Sequence, residues 1–265
     1  MNRYFIHLAY NGSLFHGWQI QPNAISVQEE IQICLKRLLR EDLSLTGCGR
    51  TDTGVHANDF YAHFETDNFY SEEELKQLCY KMNRYFKVPI YINEIFSVDT
   101  RTHARFDAES RTYKYIISKN RSPFFTDLLY HNPAILDINL MNKGCEILFN
   151  YKDFTSFSKL HTQTKTNNCK IIEAYWEEKE ELLIFHIKAD RFLRNMVRAI
   201  TGTMLELGQG KISIHDFEEI ILAKDRSKAG FSVPGNALYL YKVEYPKELM
   251  SKQKKGSPAY SLNFL

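Results

Sequence analysis

The chain has 265 residues, 44% hydrophobic and 25% charged, the make-up of an ordinary globular protein long enough for one large domain or two intimately packed smaller ones. Thirty-four Lys and Arg against thirty-two Asp and Glu leave a net charge of +2, so bulk charge gives no argument for a nucleic-acid partner and local clusters must carry one. No apolar run approaches the ~18 residues of a membrane span, and the polar opening MNRYFIHLAYNGS has no signal-peptide profile, so the expected address is the cytoplasm. Five cysteines (Cys34, Cys48, Cys79, Cys145, Cys169) with no CxxC pair fit reduced thiols.

Residues 3–10 (RYFIHLAY) alternate like a strand and run into a turn at Asn11-Gly12. Ser26, three before Glu29, marks a capping box that opens a helix with Val27, Ile31, Leu35, Leu38 and Leu39 on its apolar face. A strand follows over Phe60 to Glu65. Ser71 and Glu74 repeat the cap for a second helix, with Leu75, Leu78, Met82 and Phe86 inward, and Ile90 to Val98 completes a β-α-β-α-β half, the ingredients of a ferredoxin-like sandwich.

The second half repeats the alternation without visible sequence repetition. Strands are predicted at Thr112 to Ser118, Lys170 to Glu177, Leu182 to Lys188 and Leu238 to Glu244, with helices near Ile138 to Phe149, Phe192 to Leu207 and His215 to Ala223. No Gly-rich strand-to-helix phosphate loop appears, so antiparallel α+β suits the pattern better than a doubly wound sheet. The tail from Lys247 is basic, then aromatic; Lys252, Lys254 and Lys255 read as a solvated end that adds weak attraction to a polyanion.

Three segments carry chemistry. GRTDTGVHA, residues 49–57, sets an Arg and an Asp two apart between glycines, and a carboxylate on a tight turn beside a guanidinium can serve as a nucleophile, which makes Asp52 the first candidate. Cys48 and His56 flank it, but no further Cys or His has metal-ligand spacing nearby, so His56 reads as a structural partner of the turn. His16 and Trp18 read as fixing a loop near it.

On a wheel of the helix after Asp190, Leu193, Met196, Val197, Ile200 and Met204 share one face, while Arg191, Arg194, Asn195 and Arg198 gather opposite, a guanidinium row suited to phosphates or to a catalytic carboxylate. From Arg101 to Arg121 six Lys or Arg face two acids, with Phe106, Tyr113 and Tyr115 interleaved, cations beside stacking platforms of the kind that hold RNA.

GRTDTGVHA resembles the catalytic-aspartate motif of the TruA family of tRNA pseudouridine synthases. Further segments match that family in order: YNGSLFHGWQIQP with SVQEEI, HARFDAESRTYKYII, NYKDFTSFS, RFLRNMVRAITGTMLELGQG and GNALYLYKVEYP, together spanning Tyr4 to Pro246. The resemblance implies an α+β fold of two RRM-like (ferredoxin-like) domains, residues 1–105 and 106–246, followed by a tail of 247–265. In that family the antiparallel sheets join into one central sheet flanked by helices and loops, with a basic cleft between the domains. It also implies a homodimer that isomerises uridine to pseudouridine at positions 38, 39 and 40 of the tRNA anticodon stem-loop.

By position in the motifs, Asp52 is the essential aspartate, Arg50 the arginine associated with base flipping, Tyr113 the active-site tyrosine, Arg198 the basic partner of the aspartate, and Leu238 the apolar wall against uracil. His103, Arg105 and Arg111 in the matching HARFDAESR segment, and Arg191 and Arg194 before MVR, are expected to bind the RNA. The chemistry changes no oxidation state, so no redox cofactor or metal is expected. The carboxylate can act on the sugar or on the base, two routes that these residue types serve equally.

Thr53 replaces the family's alanine. Ala237 stands where its glycine is usual, so Gly235 and Asn236 are expected to supply positive φ in SVPGNALYL. Two alternatives remain at this point: a non-catalytic RNA-binding or chaperone module, which would not need Asp52, and a metal-dependent phosphotransferase-type aspartate turn.

Overall fold

The computed structural model describes residues 1–159 and 166–250; the Lys-bearing end of the tail, with Lys252, Lys254 and Lys255, lies outside the described residues. Among the described residues two compact units are present, the first formed by Met1–Glu109 together with residues 240–250, the second by the described part of Ser110–Tyr239.

In the first unit the strands are β1 (Asn2–Tyr10), β2 (Leu45–Gly47), β3 (His56–Thr66) and β4 (Ile90–Val98), with helices α1 (Val27–Leu39) and α2 (Glu72–Tyr85). Their sheet runs β4-β1-β3, with β2 on β3 and every one of these pairs antiparallel. Each helix therefore links two strands that are separated in the sheet by a third, a split β-α-β used twice. Ser26 accepts the Glu29 N–H, and at Ser71 both halves of the capping box form, so both helices start where predicted.

Alternation explains one face of this sheet. Tyr4, Ile6, Leu8 and Tyr10 share it, with Tyr4 stacked on Phe64 and Tyr10 tilted against Phe60. The other face is also covered, which alternation did not announce: Phe5 lies against His63 and Phe96, and His7 stacks on Tyr61 at 4.5 Å. Tyr245 closes edge-on over Phe5 and Tyr61. His7 is tolerated there because its Nε2 meets Asp59 Oδ1 at 2.7 Å, while Asp59 Oδ2 accepts the Val243 N–H.

The second unit contains β5 (Ser110–Ser118), β6 (Tyr130–His131), α3 (Ile138–Leu148), β7 (Ile171–Lys179), β8 (Leu182–Ala189), α4 (Met196–Gly208), α5 (Ile214–Ala223) and the start of β9 (Leu238–Glu244). Its sheet runs β5-β8-β7 in antiparallel pairs, and β6 adds a short parallel pairing to β5. The architecture is α+β, a mixed sheet with five α-helices among the described residues. Glycines let α3 and α4 approach closely: a Cβ on Gly144 would meet Leu207 and Met204, and one on Gly208 would meet Met141.

Two expectations need correction. The strand predicted from Phe60 begins at His56, so the Asp52 turn runs directly into β3. The helix predicted from Phe192 begins at Met196, with Asn195 in a left-handed N-cap at φ 69°, so Arg191 and Arg194 lie before it and no guanidinium row forms on its surface. Met196, Val197, Ala199, Ile200 and the run from Thr201 to Leu205 are all buried, and the chain of residues 229–233 lies on the flank that holds Arg198 and Gly202. A Cβ on Gly202 would collide with the Phe231 carbonyl, and one on Gly230 would meet the Glu206 carboxylate.

Candidate active site

The turn bearing Asp52 is held from the backbone upward. Val55 N donates to Asp52 O at 3.1 Å and Gly54, the third residue of this turn, has φ 77°, the conformation a type II turn requires there. Thr53 occupies the second, exposed position, where a branched residue fits; Asp52 is half-buried between buried Thr51 and Val55.

The segment after β1 clasps the turn from outside. Trp18 N donates to Thr51 O (3.2 Å), Gly54 N to Phe15 O (3.2 Å), and the Tyr10 and Thr51 hydroxyls share a hydrogen bond of 2.8 Å. Gly12 N donates to His56 Nδ1 at 3.0 Å, so that nitrogen is an acceptor and His56, 2% exposed, is the structural partner its position announced. Gly12 and Gly17 (φ 91°) are required by contact: a Cβ on the first would strike the Val55 carbonyl and on the second the Thr51 carbonyl. Trp18 is buried and stacks on Phe60 at 4.1 Å, while His16 is exposed. Arg50 is exposed, next to the carboxylate in sequence and pointed into no core.

His103 and Arg105 sit elsewhere in the first unit. His103 packs edge-on against His63, whose place on β3 is roughly 20 Å along the strand from the Asp52 turn at ~3.3 Å per residue. Its Nδ1 accepts the Arg105 and Phe106 N–H groups, and burial, then the Arg3 charge, hold its pKa below the usual histidine value. Burial, then His103, push the neighbouring His63 down to about 4, and His63 Nδ1 accepts the Ala104 N–H. Arg105 lies over the Phe106 ring at 5.9 Å. These two residues are not brought to the aspartate turn.

In the second unit the paired tyrosines of RTYKY part ways. Tyr115 is fully buried, its hydroxyl donates to Pro234 O at 3.1 Å, and burial raises its pKa. Tyr113 is half-buried, its ring meeting the edge of Phe192 at 5.2 Å. Arg111 Nη1 donates to Asp190 O at 2.8 Å, and Asp190 Oδ1 accepts the Arg191 N–H, so Arg111, Tyr113, Arg191 and Phe192 gather at one end of β5 and β8. Arg194 is exposed.

Arg198 lies in the first turn of α4 and is bound twice to one residue: Val233 N donates to Arg198 O (3.2 Å) and Arg198 Nε donates to Val233 O (2.7 Å). Leu238 is buried at the start of β9. The segment before it forms a 3-10 turn, Gly235–Ala237. Neither Gly235 nor Asn236 has positive φ, correcting that expectation: such a turn needs only right-handed torsions, which Ala237 also accepts.

The Arg101–Arg121 cluster is divided between the two units. Arg101 and Arg105 belong to the first unit and Arg111 onward to the second, with Arg101 paired to Asp99 and Lys119 to Glu178. Sequence reasoning also missed the residues that support the site. Tyr10 and Thr51 lie in matched motifs but were given no role, and Arg226 carries no motif signal; the S-x-x-D spacing at Ser213 and Asp216, a full capping box for α5, was open to recognition. The cysteines are free, and burial pushes the Cys34, Cys145 and Cys169 thiols up to about 12. Among the described residues no three His, Cys, Asp or Glu side chains gather so as to hold a metal ion, and no helix is long and apolar enough to cross a membrane.

Residues 151–246 match a family model described as tRNA pseudouridine synthase. The chain is 51% identical over 249 residues to a protein of Parabacteroides distasonis named tRNA pseudouridine synthase A, covering 94% of this chain and 98% of that one. A Bacteroides fragilis protein of the same name is 50% identical, with 94% and 98% covered. A more distant namesake in Listeria welshimeri is 38% identical, with 92% of this chain and all of the relative covered.

Proposed function

The chain belongs to the tRNA pseudouridine synthase family of TruA type, and from that premise we propose that it isomerises uridine to pseudouridine at positions 38, 39 and 40 of the tRNA anticodon stem-loop. As a member of that family it is an isomerase acting on uridine in tRNA. The observation that carries the reading is the Asp52 turn, where a half-buried carboxylate sits on a turn whose main chain is hydrogen-bonded to a preceding loop that only glycine at 12 and 17 allows so close. Such preorganisation is what a reaction at one glycosidic bond demands.

In the isomerisation the bond from uracil N1 to the sugar breaks, the base turns while held, the sugar joins C5, and the C5 proton leaves as N1 gains one. Asp52 starts the cleavage and Arg198 is its basic partner, keeping it ionised. Tyr113 stacks on the extruded base and its hydroxyl can relay a proton. Leu238 supplies the apolar wall. Arg50 enters the stem as the uridine leaves it, and phosphate contacts offset a flipping cost of a few kcal/mol. Those contacts fall to Arg111, Arg191 and Arg194, and, remote from the reacting base, to His103 and Arg105.

The same reading gives two RRM-like domains over residues 1–105 and 106–246, a homodimer, a basic cleft for tRNA and a cytoplasmic address. It is supported by the split β-α-β order β4-β1-β3-β2 of the first unit and by the matching β5-β8-β7 run of the second. The test is release of label from C5 of uracil in purified tRNA. Wild type is expected to release it at the three positions; Asp52→Asn is expected to bind tRNA and release none. Undiminished product from Asp52→Asn would remove the assigned nucleophile, and tRNA binding without product by the wild type would favour the non-catalytic module.

A further inference from the structure

We infer that Arg226 is a positioning residue that acts on Arg198 through the strap of residues 229–233, an inference that rests on the role proposed above for Arg198. Arg226 is half-buried and makes three hydrogen bonds to the strap: Nη1 donates to the Ala229 and Gly230 carbonyls (3.2 and 3.1 Å) and Nη2 to Ser232 Oγ (2.8 Å). Ser232 Oγ is also met by Asn195 Nδ2 at 2.7 Å, and Asn195 is the left-handed N-cap of α4. The next residue, Val233, closes both hydrogen bonds with Arg198.

The strap is gripped along its length. Gly230 N donates to Thr203 Oγ1 at 3.0 Å, Gly202 accepts the Phe231 carbonyl only because it has no Cβ, and Arg198, Gly202 and Glu206 form the i, i+4, i+8 row of α4 over which it runs. An exposed arginine near a basic segment is ordinarily a phosphate contact, solvated and mobile. Arg226 differs because its planar fork satisfies three acceptors in one rigid arrangement that a lysine cannot reproduce. With Nε held by the Val233 carbonyl, the Arg198 guanidinium has a fixed plane, and Ser232 transmits to it whatever Arg226 and Asn195 impose.

The test compares Arg226→Gln, Ser232→Ala and the double variant in single-turnover pseudouridine formation and in tRNA binding across a salt series. A positioning role predicts a fall in the turnover rate of about 10- to 100-fold in each, with tRNA affinity and its salt slope unchanged and the double variant no slower than the worse single. Ser232→Ala keeps every charge and removes one hydroxyl, so it serves if Arg226→Gln fails to fold.

Weaker binding with a shallower salt slope in Arg226→Gln, or normal turnover in Ser232→Ala, would overturn the inference. A second readout is independent of activity: in protein labelled with nitrogen-15 at arginine, the Arg198 Nε–H signal, assigned with Arg198→Lys, should exchange slowly in the wild type and quickly in Ser232→Ala. An unchanged signal refutes the positioning role, whereas a wild type that forms no pseudouridine refutes the function and leaves this signal to judge the brace.

Discussion

The two units fix their functional groups by the same physical device but from different distances in sequence. In the first, the segment Tyr10 to Trp18 lies on the turn of Thr51 to Val55, with Gly12 and Gly17 allowing backbone to touch backbone. In the second, the strap 229–233 lies on α4, with Gly202 doing the same, Gly230 making room for the Glu206 carboxylate, and Arg198 held by Val233. The first arrangement holds a carboxylate on a turn that precedes a strand; the second holds a guanidinium on the opening turn of a buried helix. A turn has few neighbours and must be clasped by hydrogen bonds, whereas a helix is rigid already and needs only its long side chain pinned.

The largest expected effect isolates chemistry from clasp. Asp52→Asn should reduce C5 label release to background while leaving the melting temperature within a degree or two, because the change is isosteric and the turn is held by main chain. A large stability loss in that variant would mean the carboxylate itself supports the turn.

Next comes the packing under the first clasp. Trp18→Ala removes a buried ring stacked on Phe60 and should cost about 3–5 kcal/mol in denaturant unfolding, with turnover lost in proportion to the disordered turn. Smaller, and directly comparative, are Gly12→Ala and Gly202→Ala. Each forces a Cβ into a carbonyl of its partner segment and should cost about 1–3 kcal/mol. If the two units use one device, both variants lose turnover at saturating tRNA; if only Gly12→Ala does, the strap is structural and the parallel fails.

The smallest effect concerns acid. His63 is held neutral by burial, with a folded pKa of about 4, well under its unfolded value, so its contribution to stability is full above about pH 6.5 and drains as pH falls toward 4. Between pH 7 and 5.5 this amounts to about 1 kcal/mol of unfolding free energy. His63→Asn, which keeps an acceptor for the Ala104 N–H, should remove that slope. In the second unit His186 is also held down, by burial first and then by Lys114, so His186→Asn should flatten a further part.

How much could be read in advance follows from how local each feature is. Ser71 with Glu74, and the apolar rows Val27-Ile31-Leu35 and Leu75-Leu78-Met82, are contiguous signals, and the helices stand where they point. β4 and β9 have the predicted bounds because each is an apolar segment closed by turn or charge. The wheel of α4 misled because it counted Arg191 and Arg194 as helical and set them in one row with Arg198. No periodicity records a strap arriving from residues 229–233. In the Arg101–Arg121 run, charges adjacent in sequence fall in two units, and His103 turns inward against His63.

What the sequence determined by itself is the family, the α+β class and the identity of Asp52 on its turn, because these reside in contiguous residue patterns whose physics is local: caps, periodicity and a glycine-bounded motif. Tertiary structure alone decided that His56 turns its Nδ1 to Gly12, that the Tyr115 hydroxyl reaches Pro234 while the Tyr113 ring meets Phe192, and that Arg226 grips the strap over Arg198. The first two contacts join residues far apart in the chain through single hydrogen bonds, and the third is local but matters only once the strap lies on α4; such bonds leave no trace in either partner's neighbours until the backbone has folded.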